Sequence, residues 1–319
     1  MVEEEERMKR LVPTLLLVIV CIAGFWYASD KGFLKSKPTD DTAGKPFFTL
    51  KADDVTGISI HTQTDDIALA KKDKAWTMSK PDAYPLNSYG AANWASSFAS
   101  LAYQSVVEEA PTDLAQYGLK SPATSFAATL ADGSVKKVLV GRPLPVSGTT
   151  YVQLEGDPKV YEVSDTSLTS LESPAVTFVN TQAIDSVYNN VKIVDLTWKG
   201  QSWQLTKTEL AKMAYESKWK RDSKELTAEQ GTAVLDKLTG LYADGLMTPA
   251  TKVSMANPEL TIRVTEEKDG KTTESVFRGK VKDEQVTLVK DGGTWAYTLN
   301  LADVQSLYDA GKTAGETAK

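Results

Sequence analysis

Two residue types that carry much of protein chemistry are nearly missing from this chain of 319 residues, which has one histidine, His61, and one cysteine, Cys21. A zinc site of the usual Cys/His kind needs three or four such ligands, and a Ser-His-Asp triad needs a histidine held between its partners. His61 falls in a strand-like run, in register with Ser59 and opposite Ile58 and Ile60, so its ring is expected to face solvent. Cys21 has no partner for a disulfide. The carboxylate pairs Asp53-Asp54 and Asp65-Asp66 lack the oxygen-rich spacing of an EF-hand loop. Glu108 and Glu109 are adjacent, so on an extended chain their side chains diverge. A glycosidase pair would have to come from distant segments and lie about 5–10 Å apart in a cleft. Gly141-Arg142-Pro143 could suggest an anion site, yet it precedes prolines and not a helix N-terminus with free amides. These residues assign no catalytic group, no metal and no cofactor, and the chain reads as a non-enzyme.

What remains is contact chemistry. Segment 142–150, RPLPVSGTT, joins two strands and is proline-rich with an apolar tinge, which makes Arg142, Leu144 and Val146 partner-contact candidates together with the neighbouring Tyr151. Trp295 follows a Gly-Gly turn and is the tryptophan most expected to be exposed. Trp76, Trp94, Trp203 and Trp219 occupy helix-face or repeat-matched positions, where packing is their ordinary use. An apolar content of 41% and a charged content of 24% suit a globular chain with a core. The net charge of −6 argues against a nucleic-acid partner, which calls for a basic face.

The elements that must hold these residues come in two similar runs. Val55 to Met78 alternates as three short strands, and 86–101 carries Ala91, Trp94, Phe98 and Leu101 at helical spacing behind Asn87 or Ser88 as a cap. Four further strands follow, with Asp132-Gly133 as a tight hairpin turn, and then a short closing helix. The pattern returns about 136 residues later: Ile67 and Leu69 match Trp203 and Leu205, Phe126 matches Ile262, Tyr161 matches Tyr297, and Asp132-Gly133 matches Asp269-Gly270. Trp76 matches Trp219 only if the second copy has a longer loop at 208–217. Residues 11–28 hold no charge and follow Arg7, Lys9 and Arg10, which predicts one transmembrane signal anchor with a cytoplasmic N-terminus and the bulk of the chain outside.

Tyr117-Gly118-Leu119, Pro122, Asp132-Gly133, the strand ending at Gly141 and the pair Val160-Tyr161 resemble the domain of unknown function 4340 family, as does Trp76 ahead of a helix. The second copy departs from the pattern, lacking the Tyr-Gly-Leu triplet before Pro258 and carrying Arg278-Gly279-Lys280 in place of Val140-Gly141-Arg142. The resemblance implies an N-terminal membrane segment, an exported repeat region and genes beside ABC-transporter components of the gliding-motility type. It carries no site residues. The expected fold is α+β, two tandem repeats of antiparallel strands with one covering helix each, behind a single transmembrane helix. The expected divisions are a cytoplasmic 1–10, the anchor 11–28, a tether 29–46, repeats at 47–175 and 176–310, and a disordered tail 311–319. The expected role is an accessory subunit of a membrane complex whose partners are the lipid bilayer, through residues 11–28, and a transporter permease. The alternative is a module that binds envelope polysaccharide or peptidoglycan.

Overall fold

The computed structural model describes residues 44–145 and 148–316. The expected segments 1–10 and 11–28, most of the 29–46 tether, Val146 and the last three residues therefore lie outside the described residues. No helix among the described residues is long and apolar enough to cross a membrane.

Strand β1 (Lys45–Pro46) pairs with β5 (Ala102–Tyr103) as a two-stranded sheet. The first large sheet contains β2 (Val55–His61), β3 (Asp66–Lys72), β4 (Ala75–Lys80), β6 (Ser105–Glu108), β7 (Thr124–Leu130), β8 (Val135–Pro143), β9 (Thr149–Leu154) and β10 (Val160–Ser164). Its order is β4-β3-β2-β7-β8-β9-β10-β6, with antiparallel neighbours throughout. The second contains β11 (Val191–Trp198), β12 (Gln201–Lys207), β13 (Trp219–Arg221), β14 (Lys224–Leu226), β15 (Thr248–Pro249), β16 (Leu260–Lys268), β17 (Lys271–Lys282), β18 (Gln285–Lys290) and β19 (Trp295–Asn300). Its order is β14-β13-β12-β11-β16-β17-β18-β19-β15. Without the edge strand β14, the two orders correspond strand for strand. Even the far edge keeps register: Val160 faces Glu108 in the first sheet, and Ala296 faces Thr248 in the second.

Local chemistry accounts for the repeated turns. Between β7 and β8, Gly133 takes φ 84° and the Asp132 carboxylate accepts the Ser134 amide at 2.8 Å. Between β16 and β17, Asp269 and Gly270 both have positive φ, 53° and 74°, as a two-residue primed turn requires. Alternation then turns one face of each strand inward. Ile58, Ile60, Ile67, Leu69, Phe126, Ala128 and Val138 are buried in the first unit, and Val194, Leu196, Leu205, Ile262, Val264 and Leu288 in the second.

The helices are short. In the first unit α1 (Gly90–Ala99) lays Trp94 and Phe98 into the core, and the Trp94 indole donates to the Leu171 carbonyl at 3.0 Å, just past α2 (Asp165–Thr169). Asn87 Oδ1 accepts the amides of Tyr89 and Gly90 ahead of α1. In the second unit α3 (Ala228–Thr239) begins with a reciprocal capping box between Thr227 and Gln230. It packs against α4 (Leu301–Thr313).

The expected α+β class is corrected by this arrangement: the protein is mostly β, built on three antiparallel sheets. Two effects separate the reading from the fold. The helical spacing at 86–101 yields only the ten residues of α1, because the backbone of Leu86 and Asn87 pairs with Val179 and Phe178. Meanwhile the stretch after the helix, which the expected element order leaves without a strand, contributes β6, whose Val106 sits opposite Tyr161 at the sheet edge. The expectation of one covering helix per repeat also changes, since the second unit has the α3 and α4 pair. Residues 311–313 of the expected tail end α4, and Gly315 approaches the Leu226 side chain.

Candidate functional site

The triplet Tyr117-Gly118-Leu119 forms one corner of the first unit. Asp113 Oδ1 accepts the Ala115 amide at 2.9 Å and opens a single 3-10 turn, Leu114–Tyr117. Gly118, at φ 72°, ends it, and the Leu119 amide returns to the Leu114 carbonyl. This folded turn lies directly on β8 where that strand bulges. Val140 faces Val152 and Pro143 faces Thr150, so β8 carries one residue more than β9 across the same interval. The contact is made by backbone. A Cβ on Gly141 would sit 2.2 Å from the Tyr117 carbonyl oxygen, and one on Gly118 would sit 2.9 Å from the Arg142 nitrogen. Two glycines at 118 and 141 are what let the turn and the bulge touch.

Around that contact the Tyr117 ring meets the Tyr151 ring edge-on, with centroids 5.0 Å apart. The Tyr117 hydroxyl donates to the Glu108 carboxylate on β6, and this bond, followed by burial, raises its pKa. Leu119 and Val160 complete a small apolar cluster apart from the two main cores, with Leu114, Leu139 and Tyr151 against it. Arg142 and Pro143 stand exposed at its margin, and the Leu144 amide donates to the Thr149 carbonyl at 2.9 Å. Arg142 is thus in a strand and not in a loop, because β8 runs on through Pro143.

Of the expected contact residues, Arg142, Leu144 and Tyr151 come together at this corner. Tyr151 is half-buried and serves as Tyr117's partner. Val146 lies outside the described residues. Trp295 is elsewhere: it stacks on Tyr84 with centroids 4.6 Å apart and packs against the first unit's core. Met247, 2% exposed, joins that same core, and the Tyr84 hydroxyl donates to the Met247 carbonyl at 3.1 Å. These contacts form a seam between the units, and burial raises the Tyr84 pKa.

A second feature escaped the sequence reading. Loop 208–218, the extra length between β12 and β13, turns Leu210, Met213 and Tyr215 outward, the last 65% exposed. Its inward residues fix it. Ala214 donates its amide to Asn189 Oδ1 at 3.0 Å, and its carbonyl accepts from the Trp219 indole at 3.0 Å. Glu209 accepts from Lys212 at 2.6 Å and from the Lys218 amide at 2.9 Å. The available signal was the longer loop itself, which holds three large apolar residues with neither strand nor helix spacing.

His61 is exposed on β2 opposite Asp66, as expected. Glu108 and Glu109 diverge, the first to Tyr117 and the second to Lys159 at 2.6 Å. The Asp157 carboxylate accepts from Tyr161 at 2.6 Å, which lowers the carboxyl's pKa and helps raise the phenol's. Open clefts of about 290 Å³ lie beside Phe47 and Phe48, and of about 560 Å³ beside Val187 and Asn190.

No curated protein and no solved structure matches the chain. The family described as domain of unknown function (DUF4340) matches residues 76–259. That stretch runs from β4, through the Tyr117–Leu119 corner and both sides of the seam at Tyr84 and Met247, to the start of β16. It covers more than half of the chain, and the protein belongs to the DUF4340 family.

Proposed function

We propose that this protein is a non-enzymatic, membrane-anchored extracytoplasmic subunit that serves a membrane complex, of ABC-transporter type, by contact. The observation that carries the reading is the glycine-mediated corner: Gly118 and Gly141 lock a 3-10 turn onto a strand bulge, and the exposed Arg142 and Pro143 are held at its margin. An exposed cation on a fixed backbone, beside apolar residues, is a ready contact for a protein partner, because little backbone freedom is left to lose on binding. The second unit has no counterpart of this corner. Its β17–β18 pairing is regular from Phe277 to Lys282, without a bulge. The uncharged residues 11–28 supply the anchor in this reading. The alternative, binding of envelope polysaccharide, draws no support from Trp295, whose ring is stacked in the seam.

The test is a photo-cross-linker at Leu144 of the full chain in native membranes, with Tyr89, exposed just before α1, as the control. Capture of a membrane-spanning transporter component from position 144 and not from 89 is the expected result. A membrane-inserted chain that cross-links to no transporter component from position 144 would reject the reading.

A further inference from the structure

We propose that the partner surface met by the Tyr117–Leu119 corner is acidic, and that an aspartate or glutamate carboxylate of the partner protein seats on the Arg142 guanidinium. The inference rests on the contact reading above and adds the chemistry of what is contacted.

The other arginines of the fold are satisfied from within. Among the described residues there are four. Arg278 holds Asp291 by two parallel bonds, Nε to Oδ1 at 2.8 Å and Nη2 to Oδ2 at 3.0 Å. Arg263 meets Glu274 at 2.9 Å, and Arg221 lies 3.7 Å from Glu316. Arg142 alone has no carboxylate within 4.0 Å among the described residues. Lys120, exposed two residues past Gly118, has none either.

The acids on the flanking segments are committed elsewhere. Glu108 accepts the Tyr117 hydroxyl, and Glu109 pairs with Lys159 at 2.6 Å. Asp113 takes the Ala115 amide, Glu162 accepts from Ser105 at 2.7 Å, and Asp165 accepts from Thr150 at 2.7 Å. The corner is therefore left with cationic donors that the fold itself does not match. An arginine carries five N–H donors and no acceptor, so what it lacks is an anion.

The backbone around Arg142 makes its guanidinium the donor on offer. Pro143 and Pro145 have no amide, and the Leu144 amide is taken by the Thr149 carbonyl. The side chain leaves from a fixed root, since a Cβ on Gly118 would come within 2.9 Å of the Arg142 nitrogen and 3.3 Å of its Cβ. Two features favour a protein carboxylate over a lipid phosphate. Anionic headgroups are held by clusters of cations, and this corner has only Arg142 and Lys120. A guanidinium beside apolar residues is the make-up of an interface anchor, and its planar fork fits a carboxylate with two bonds, as Arg278 fits Asp291.

The experiment uses the full chain in native membranes with the photo-cross-linker at Leu144. Arg142→Glu should cut capture of the transporter component by about tenfold or more, because it sets a carboxylate against a carboxylate. Lys136→Glu, an exposed reversal at the far end of β8, should leave capture unchanged. A second variant, Arg142→Lys, is treated with a water-soluble carbodiimide. The reagent activates a carboxyl group, the amine at position 142 attacks it, and an amide forms as the urea leaves. Mass spectrometry should place that amide on an aspartate or glutamate of the same component. Capture that survives Arg142→Glu overturns the acidic assignment and leaves the contact reading standing. Loss of capture in Arg142→Glu with no amide from position 142 to a partner carboxylate also overturns it, and points to a lipid phosphate. No capture from the unsubstituted chain overturns both readings.

Discussion

The Trp295 ring of the second unit stacks on the Tyr84 ring of the first, with centroids 4.6 Å apart and planes 29° from parallel. Below them Met247 enters the first unit's core, and its carbonyl takes the Tyr84 hydroxyl. An aromatic pair contributes about 0.5–1.5 kcal/mol beyond the area it buries. Trp295→Ala also removes apolar contact with the core, so a cost of about 2–4 kcal/mol follows from large-to-small truncation. Because the loss falls at the seam, urea unfolding should change from one transition to two as the units lose their coupling. A single, unshifted transition would show that the stack contributes nothing.

The seam also shows where sequence reading stops. The duplication was legible because alternation and turn residues repeat: Asp132-Gly133 and Asp269-Gly270 both turn the chain between paired strands, though only the second has positive φ at both residues, and Tyr161 and Tyr297 stand at matched strand positions. The seam was not, because it is made by residues that differ between copies. Trp295 corresponds to Lys159, Met247 to Val107, and Tyr84 to Lys224. Val107 and Lys224 are exposed and Lys159 is ion-paired with Glu109, so the contact is used once and the corresponding outer positions stand free of it. The corner was half legible. Tyr117, Gly118 and Gly141 could be singled out, but a strand bulge is a pairing property and no single strand displays it. The β-rich class was misjudged because β6 and β15, four and two residues long, carry too little pattern to be seen until they pair at an edge.

Gly141→Ala tests the corner. The new methyl would lie 2.2 Å from the Tyr117 carbonyl oxygen, a backbone atom that cannot swing aside. Overpacking of this kind costs about 1–3 kcal/mol. The turn should lift from β8, and the Leu119 amide, now bonded to the Leu114 carbonyl, should exchange faster with solvent. Gly156→Ala is the comparison. Gly156 has φ 86° with open space around it, so that variant should pay in backbone strain alone and leave Leu119 exchange unchanged.

Gly311→Ala sets two effects against each other inside α4. Replacing glycine in a helix gains about 1 kcal/mol of propensity. The added Cβ, however, would sit 2.2 Å from the Trp203 ring, which is buried and fixed by its indole bond to the Tyr308 carbonyl. Strain of about 1–3 kcal/mol outweighs the gain. The expected outcome is a lower melting temperature with helical circular dichroism retained. Gly231→Ala, whose Cβ would meet Trp219 at 2.2 Å, should behave alike, and an unchanged or higher melting temperature in both would mean the rings move freely.

Tyr188 links pH to stability at the α3 face. Its hydroxyl lies 2.9 Å from Asp236 Oδ1 and 3.2 Å from the Thr232 carbonyl, two acceptors for one phenolic proton. Burial, then the bond to Asp236, pushes its pKa up to about 12. A raised folded-state pKa means that the fold favours the protonated phenol. That contribution is fully present below the unfolded tyrosine value of about 10 and is lost as pH climbs through about 12. Tyr188→Phe has no such proton to lose. The native chain should therefore lose urea stability more steeply than the variant between pH 10 and 12, about the limits of the shift. Tyr161, whose pKa is also raised by burial and by Asp157, is common to both chains and cancels in the comparison. Parallel slopes across that window would mean that the phenol of Tyr188 titrates in the fold as it does in the open chain, and that the bond to Asp236 is not made.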